Sequence, residues 1–356
     1  MIGHDLLKNL FEKKLSHQNL SKYCASVTKT YNDNKVDAGN FKVSCVQREI
    51  NVVRDVKDYI NCVSLLVEQA AKEGSNLVVF PEYNFFDLLG IIPGFSSVNR
   101  YANKRAVKSF NSKKSAQKKA EPKQNPFLRS ILASTANPIA DGIKFIYSSL
   151  AKEYNIYIYT GTYIENREGV LFNTGALFDN DGKLVGAQDK IHLTDFEVSI
   201  GLDRANNLKV YELPWGKIAF PICMDATYFE TFQLARELGA DIVIIPIANM
   251  EEYSLWRALR GMWPRVQESY VYGLKSSLNG WIGGMHFTGK AGIFAPLSIT
   301  DKKDGLVEIA PEHEGSYVIT AELDIQKLYM ARQKDQYYGD KNYAFEKEYL
   351  TKTYKK

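Results

Sequence analysis

The chain has 356 residues, 45% of them hydrophobic and 24% charged, and a net charge of +4. These totals fit one large α/β domain or two small ones and are too balanced to argue for nucleic acid. The four cysteines (Cys24, Cys45, Cys62 and Cys223) form no CxxC and no Cys/His ligand spacing, which excludes a recognisable zinc motif and a disulfide framework. The longest apolar run, Ile242 to Ala248, is too short to span a bilayer. No secretory apolar region opens the chain, and Gly3 is not where a myristoyl acceptor has to be. A cytoplasmic protein is the expectation.

Residues 1–40 read as an N-terminal arm, helical around Leu6, Leu7, Leu10, Phe11 and Leu15 and loose afterwards. Phe41 to Val46 predicts a strand and Val53 to Ala71 a helix, with Val56, Tyr59, Ile60, Val63, Val67 and Ala70 on one face. Leu77 to Phe80 is a continuous apolar run, the pattern of a strand buried on both faces. Between Arg100 and Lys123 lie nine basic residues against the single acid Glu121, which reads as a solvated insertion over about 96–130. A helix is expected over Pro138 to Tyr154. Ile156 to Tyr163 and Val170 to Phe178 read as strands, with a turn at Asp179-Asn180-Asp181-Gly182. Lys217 to Ile222 and Asp241 to Ala248 are further strands, separated by a helix over Thr231 to Leu238. Trp256 to Tyr270 reads as a helix interrupted by Pro264. Gly292 to Ala295 and Tyr317 to Leu323 close the pattern, and residues 326–356 read as an exposed tail. The alternation points to a layered α/β architecture, in which strand C-termini open onto a ligand crevice.

Three reactive side chains stand at or near the ends of apolar runs: Glu82 after Val78-Val79-Phe80-Pro81, Lys190 in Asp189-Lys190-Ile191-His192-Leu193, and Cys223 after Pro221-Ile222. A thiol, an ammonium and a carboxylate together suffice for covalent hydrolysis of a carbon–nitrogen bond, supplying nucleophile, oxyanion partner and proton carrier. Each has an ordinary alternative: a buried cysteine, a loop acid, a solvated lysine. Position tips the balance, because Cys223 follows a strand directly and Tyr83-Asn84-Phe85-Phe86 gives Glu82 aromatic walls that would raise its pKa. A lysine beside the thiol would favour thiolate. Glu197 could orient Lys190, while His192 has no indicated partner that would make it a base. Tyr83, Asn249, Met250 and Glu251, following two of the strands, are candidate pocket walls.

The set resembles the nitrilase superfamily of carbon–nitrogen hydrolases. Phe80-Pro81-Glu82 is similar to that family's general-base motif, Lys190 to Glu197 to its lysine motif with an auxiliary glutamate, and Ile222-Cys223-Met224-Asp225 to its nucleophile motif. Val46-Gln47, Phe172-Asn173-Thr174, Asp181-Gly182 and Arg265-Val266-Gln267-Glu268 extend the similarity over about 41–325. The resemblance implies a four-layer α-β-β-α sandwich, a Glu82–Lys190–Cys223 triad acting through a thioester, an oxyanion near Lys190 and the Met224 N–H, no metal or organic cofactor, and a homodimer or higher homo-oligomer. Met224-Asp225 differs from the Trp-Glu pair of true nitrilases, so an amidase acting on a small linear amide is favoured over a nitrile hydrolase. Release of carbon dioxide would mark the alternative, an N-carbamoyl amine hydrolase. An acyltransferase and an idle scaffold rank lower. The basic insertion, outside the family's common core, is either a solvated loop or a contact for an anionic partner; thin aromatic interleaving gives no expectation of nucleic acid.

Overall fold

In the computed structural model, which describes residues 2–26, 40–112, 126–335 and 342–354, the chain opens with helices α1 (Ile2–Lys14) and α2 (His17–Cys24). Strands and helices then alternate: β1 (Asn40–Glu49), α3 (Val56–Lys72), β2 (Leu77–Val79), α4 (Phe95–Ser112), α5 (Pro126–Tyr154) and β3 (Tyr157–Arg167). A meander adds β4 (Val170–Phe178) and β5 (Leu184–Asp189), followed by α6 (Asp195–Ser199), β6 (Leu202–Asp203) and β7 (Tyr211–Leu213). Alternation returns with β8 (Gly216–Ala219), α7 (Phe229–Glu237) and β9 (Ile242–Ile247), then α8 (Leu255–Leu259), α9 (Met262–Ser269) and β10 (Tyr272–Ile282). The short strands β11 (Met285–Phe287), β12 (Gly292–Phe294) and β13 (Leu306–Ile309) lead to β14 (Tyr317–Asp324), α10 (Ile325–Lys334) and α11 (Tyr343–Thr353).

One strand joins the two halves. β1 pairs in parallel with β2 over Val43–Cys45 and antiparallel with β14 over residues 40–47. At Gln47 it changes partner and runs parallel to β10, with Gln47 opposite Ser277 and Glu49 opposite Asn279. The resulting strand order is β5-β4-β3-β2-β1-β10-β9-β8-β7. Apolar residues of both halves meet in an inner core: Val43, Leu77, Val79 and Tyr159 from one, Ile218, Ile242, Ile244 and Leu274 from the other. The outer face of the first half buries Val78, Phe80 and Ile158 under α3 and α5, and that of the second buries Val243 and Ile245 under α7 and α9. The expected four-layer α-β-β-α sandwich is the fold that forms.

Helix α3 follows its sequence pattern closely. Asp55 Oδ1 accepts the Lys57 N–H at 2.9 Å as the N-cap, and Tyr59, Ile60, Val63 and Val67 are fully buried. Helix α5 corrects the expected start at Pro138: it begins at Pro126 and runs through the proline. An interior proline costs about 3 kcal/mol, but Ala136, Ile139, Ala140, Ile143, Ile146, Tyr147 and Leu150 are all buried along this helix. At roughly 1.5–3 kcal/mol for each large side chain, that burial outweighs the break. The expected break at Pro264 also moves. Gly261 separates α8 from α9, leaving Pro264 in the first turn of α9, where its missing N–H has no intrahelical acceptor to lose.

The terminal segments are more integrated than their composition suggests. Phe11, Leu15 and Leu20 are buried in the core under α5. Gly142 of α5 makes the approach possible, since a Cβ there would lie 3.0 Å from Leu15 Cδ2. The N-terminal helices are therefore part of the packed body, and Cys24 is buried with them. The looser stretch expected after them falls mostly outside the described residues, as do residues 113–125 of the basic insertion, whose preceding part is the helix α4.

At the other end, α10 is stapled to the sheet. Arg332 Nη1 donates to Asp241 Oδ1 at 2.6 Å, Nη2 to the Ala240 carbonyl at 3.0 Å and Nε to the Tyr270 carbonyl at 2.8 Å. Asp241 also accepts the Tyr329 hydroxyl and the Lys217 N–H, each at 3.0 Å. Only α11 resembles the expected exposed tail: none of its described side chains is buried. Arg332→Met should lower the unfolding free energy by roughly 3 kcal/mol, because it leaves a largely buried carboxylate without its cation; urea titration of both proteins measures it.

Candidate active site

Glu82 owes its position to the strand before it. Leu77, Val78 and Val79 are fully buried, so β2 runs through the core and delivers Phe80-Pro81-Glu82 at its C-terminal end. The next turn is pinned to β3, with the Tyr83 N–H on Thr162 Oγ1 at 3.0 Å and the Asn84 N–H on the Thr162 carbonyl at 3.1 Å. Tyr83 has φ of 52°, and Gly161, at φ +71°, lies where a Cβ would collide with the Pro81 carbonyl oxygen. Glycine at 161 is thus what lets β3 pass so close to the glutamate turn.

Lys190 leaves the end of β5, with its N–H on the Asn173 carbonyl at 2.9 Å. Its ammonium lies 2.7 Å from Glu82 Oε1 and 2.8 Å from Glu197 Oε2. All three side chains are 1% exposed or less. Glu197 reaches the lysine because it sits three residues past Thr194, the N-cap of α6, in a capping box: the Thr194 N–H and hydroxyl donate to Glu197 Oε2 at 2.8 and 2.9 Å. Its other oxygen accepts the Tyr83 hydroxyl at 2.5 Å. Asn173 Nδ2 spans the two acids, 3.0 Å from Glu82 Oε1 and 2.9 Å from Glu197 Oε1. The Ala248 N–H, just beyond β9, completes Glu82 at 3.0 Å.

Cys223 opens a single 3-10 turn, Cys223–Thr227, with φ of 47° after an extended Ile222. A left-handed non-glycine residue costs of order 1–3 kcal/mol and has to be held by its surroundings. Asp225 does much of the holding. Its buried carboxylate accepts the Ile222 N–H at 2.8 Å, the His192 N–H at 2.6 Å and the Ile191 N–H at 3.3 Å, and meets His192 Nδ1 at 3.0 Å. The nucleophile turn and the loop after Lys190 are thereby tied together. Arg265, ion-paired with Glu268, caps the far end by donating to the Ala226 and Thr227 carbonyls at 3.3 Å each. The thiol is hydrogen-bonded to Glu82, while the residue as a whole is only half-buried.

Two carboxylates share one ammonium, and their surroundings drive them apart. Burial pushes Glu82 up, Lys190 offsets part of that, and the neighbouring charge of Glu197 adds to it, leaving its pKa above the usual carboxylate value. Burial also pushes Glu197 up, but Lys190 and the donors from Thr194 and Tyr83 outweigh it, so Glu197 stays below the usual value. For Lys190 burial works against the charge, yet Glu82, Cys223 and Glu197 together raise its pKa and keep it an ammonium. Glu197 is therefore the acid held more firmly as an anion, and Glu82 the one whose protonated form burial favours. The expected thiolate is corrected: burial and the Glu82 charge raise the Cys223 pKa, and Lys190 only partly compensates. The thiol at rest is therefore held in its neutral form.

The structure thus brings Glu82, Lys190, Glu197 and Cys223 into one cluster. Tyr83 is buried and bound to Glu197, and Met224 is half-buried beside the thiol. Asn249 is half-buried in the loop after β9; Met250 and Glu251 are exposed, with Glu251 ion-paired to Arg260. These last two are not carried to the cluster. Asn173, Asp225 and the Ala248 N–H were not singled out as site groups. Asn173 and Asp225 lay within the segments that carried the family resemblance, but Ala248 contributes only a backbone N–H, which no side-chain pattern discloses.

Comparisons with known proteins bear on the family and the fold. Residues 42–333 match the family model described as carbon-nitrogen hydrolase. The chain is 24% identical over 301 residues to a probable hydrolase, YhcX, of Bacillus subtilis, covering 82% of this chain and 51% of that one. It is 25% identical over 307 residues to the omega-amidase NIT2-A of Xenopus laevis, covering 83% and 92%. It spans about half the length of the Bacillus relative, whose remaining part has no counterpart in that match. Among solved structures, a carbon-nitrogen hydrolase from Helicobacter pylori G27 superposes with a TM-score of 0.66 at 19% identity, over 88% of this chain and 99% of that one.

Asn173→Leu should cost about 1–3 kcal/mol of stability, the penalty for withdrawing a shared donor from two buried carboxylates. Chemical denaturation measures that loss, and an unchanged midpoint would show that the amide is not holding the acids.

Proposed function

Starting from the premise that this chain belongs to the carbon–nitrogen hydrolase family, we propose that it hydrolyses a small-molecule linear amide through a Cys223 thioester. The observation that carries the reading is the Lys190 ammonium locked between Glu82 and Glu197 beside a half-buried thiol on a left-handed turn. The relative named omega-amidase supports an amide as the bond cleaved. The hydrolase unit would run from β1 to β14, with the terminal helices packed onto it. Four free cysteines support a reducing, cytoplasmic setting, and exposed Tyr228, Phe229, Leu234 and Leu238 around α7 support a homo-oligomer.

In the first half-reaction Cys223 Sγ attacks the amide carbon as its proton passes to Glu82. The carbonyl oxygen becomes an oxyanion facing the Lys190 ammonium and the Met224 N–H. Glu82 then delivers that proton to the nitrogen, the carbon–nitrogen bond breaks, and ammonia or an amine leaves with the thioester behind. In the second half-reaction Glu82 takes a proton from water, the hydroxide oxygen attacks the thioester carbon, and collapse expels the Cys223 sulfur, which regains the proton. Glu82 ends as it began, and Lys190 keeps its charge throughout because Glu197 never gives up its own.

Cys223→Ala should reduce ammonia release from a responsive amide by about 10⁴-fold or more with the fold intact; wild-type turnover in that variant would sink the reading. The pH profile gives a second check. Glu82 acts as base only when deprotonated, so kcat/KM should fall as pH drops through a pKa above the usual carboxylate value. Glu197→Gln removes a negative charge that raises this pKa, so the acid limb should move to lower pH, whatever happens to the maximal rate. A limb that stays put, or moves upward, contradicts the assignment of the base.

A further inference from the structure

Helix α4 holds Arg100, Lys104, Arg105 and Lys108 and no acid. One of its faces is fixed to the β10–β11 turn. Asn99 Oδ1 accepts the Gly283 N–H at 2.6 Å, Asn103 Oδ1 accepts the Gly284 N–H at 2.8 Å, and Asn103 Nδ2 donates to the Trp281 carbonyl at 3.2 Å. Asn99, Ala102, Asn103 and Ala106 follow the helical period and are all half-buried, so the opposite face has to point to water. Lys104 and Lys108 lie near the middle of that face, with Arg100 on one flank and Arg105 on the other. All four are exposed, and none is hydrogen-bonded or ion-paired to any described residue.

Several other helices pair an exposed lysine with an acid of their own. Lys8 in α1 pairs with Glu12, Lys72 in α3 with Glu68, and Lys352 in α11 with Glu348, each one turn away. On α4 the neighbours of the cations are instead Val98, Tyr101 and Val107, which are 66, 68 and 39% exposed. The net charge of the whole chain is +4, so the four cations of α4 equal the entire excess. The attraction such a face exerts is directed, not a property of the surface at large.

We propose that this face of α4 docks the protein on an anionic lipid surface. Lysine and arginine there would reach the headgroup phosphates and carboxylates with their stems lying along the interface, and Tyr101 would sit at headgroup level between Val98 and Val107. The apolar residues form no continuous stripe, so the helix lies on the surface and does not insert, and attachment is reversible. A nucleic-acid strand fits less well, because Tyr101 is the single exposed aromatic along the described part of this face and stacking needs a series. The inference is independent of the catalytic reading.

The test is sedimentation of the full chain with vesicles of neutral phosphatidylcholine, or of phosphatidylcholine with about 30 mol% phosphatidylserine, near 150 mM salt. Binding is expected only to the anionic vesicles and should weaken as salt rises. Each cation at the surface strengthens attachment about fivefold, so the Arg100→Gln/Lys104→Gln/Lys108→Gln variant should bind roughly 100-fold more weakly with unchanged melting and ammonia release. Tyr101→Ala, which leaves the charge intact, should weaken binding severalfold and guards against misfolding of the triple variant. Equal binding to neutral vesicles, no binding to anionic ones, wild-type binding by the triple variant, or capture by single-stranded RNA in preference to the vesicles would each overturn the proposal.

Discussion

Enclosing an ammonium away from water is unfavourable unless carboxylates surround it closely and their remaining lone pairs are satisfied. Lys190 meets that condition with two acids, and the supporting groups follow from it. Glu197 is held by the Thr194 cap and the Tyr83 hydroxyl, Glu82 by the Ala248 N–H, and both by Asn173. Losing any one of these would leave a buried charge short of a partner, so the ends of β2, β4, β5 and β9 have to converge on one point. The two-layer sheet supplies that convergence, with β1 as the strand shared by its halves.

The same arrangement divides labour between chemically identical groups. Two glutamates share one lysine, but one receives several added donors and the other is placed against a thiol. The pKa of the first is held down and that of the second is raised. Strain is handled in a similar way: the left-handed backbone of Cys223 is tied through Asp225 to the lysine loop and through Arg265 to α9. Thiol and ammonium therefore cannot drift independently, as the reaction proposed for them would require.

Much of this was legible in the residues. Glu82, Lys190 and Cys223 each stand just after an apolar run, a placement that locates them at strand ends, and Glu197 could be read as the lysine's partner. The Thr194-x-x-Glu197 cap was readable as well, although its role in aiming the carboxylate at Lys190 was not. The terminal segments were read less well. The N-terminal segment was expected to be helical around Phe11 and Leu15 but to stand apart as an arm; its packing could not be read, because the room that Gly142 of α5 leaves for Leu15 comes from a distant part of the chain. The start of α5 was misplaced because Pro138 is a breaker locally, and only the burial of the helix face overrides it.

Sequence alone determined the kind of fold and singled out Glu82, Lys190 and Cys223 as candidate groups, since strand periodicity and the chemistry of a side chain are local properties. Tertiary structure decided how those groups behave. Whether a carboxylate keeps its charge, whether a thiol rests as an anion and whether a basic helix meets an acid depend on neighbours brought from distant parts of the chain. Electrostatic energies fall off with distance in space, and sequence order does not record that distance. For that reason Glu82 and Glu197, alike as letters, are driven apart in acidity only once both stand within 3 Å of Lys190.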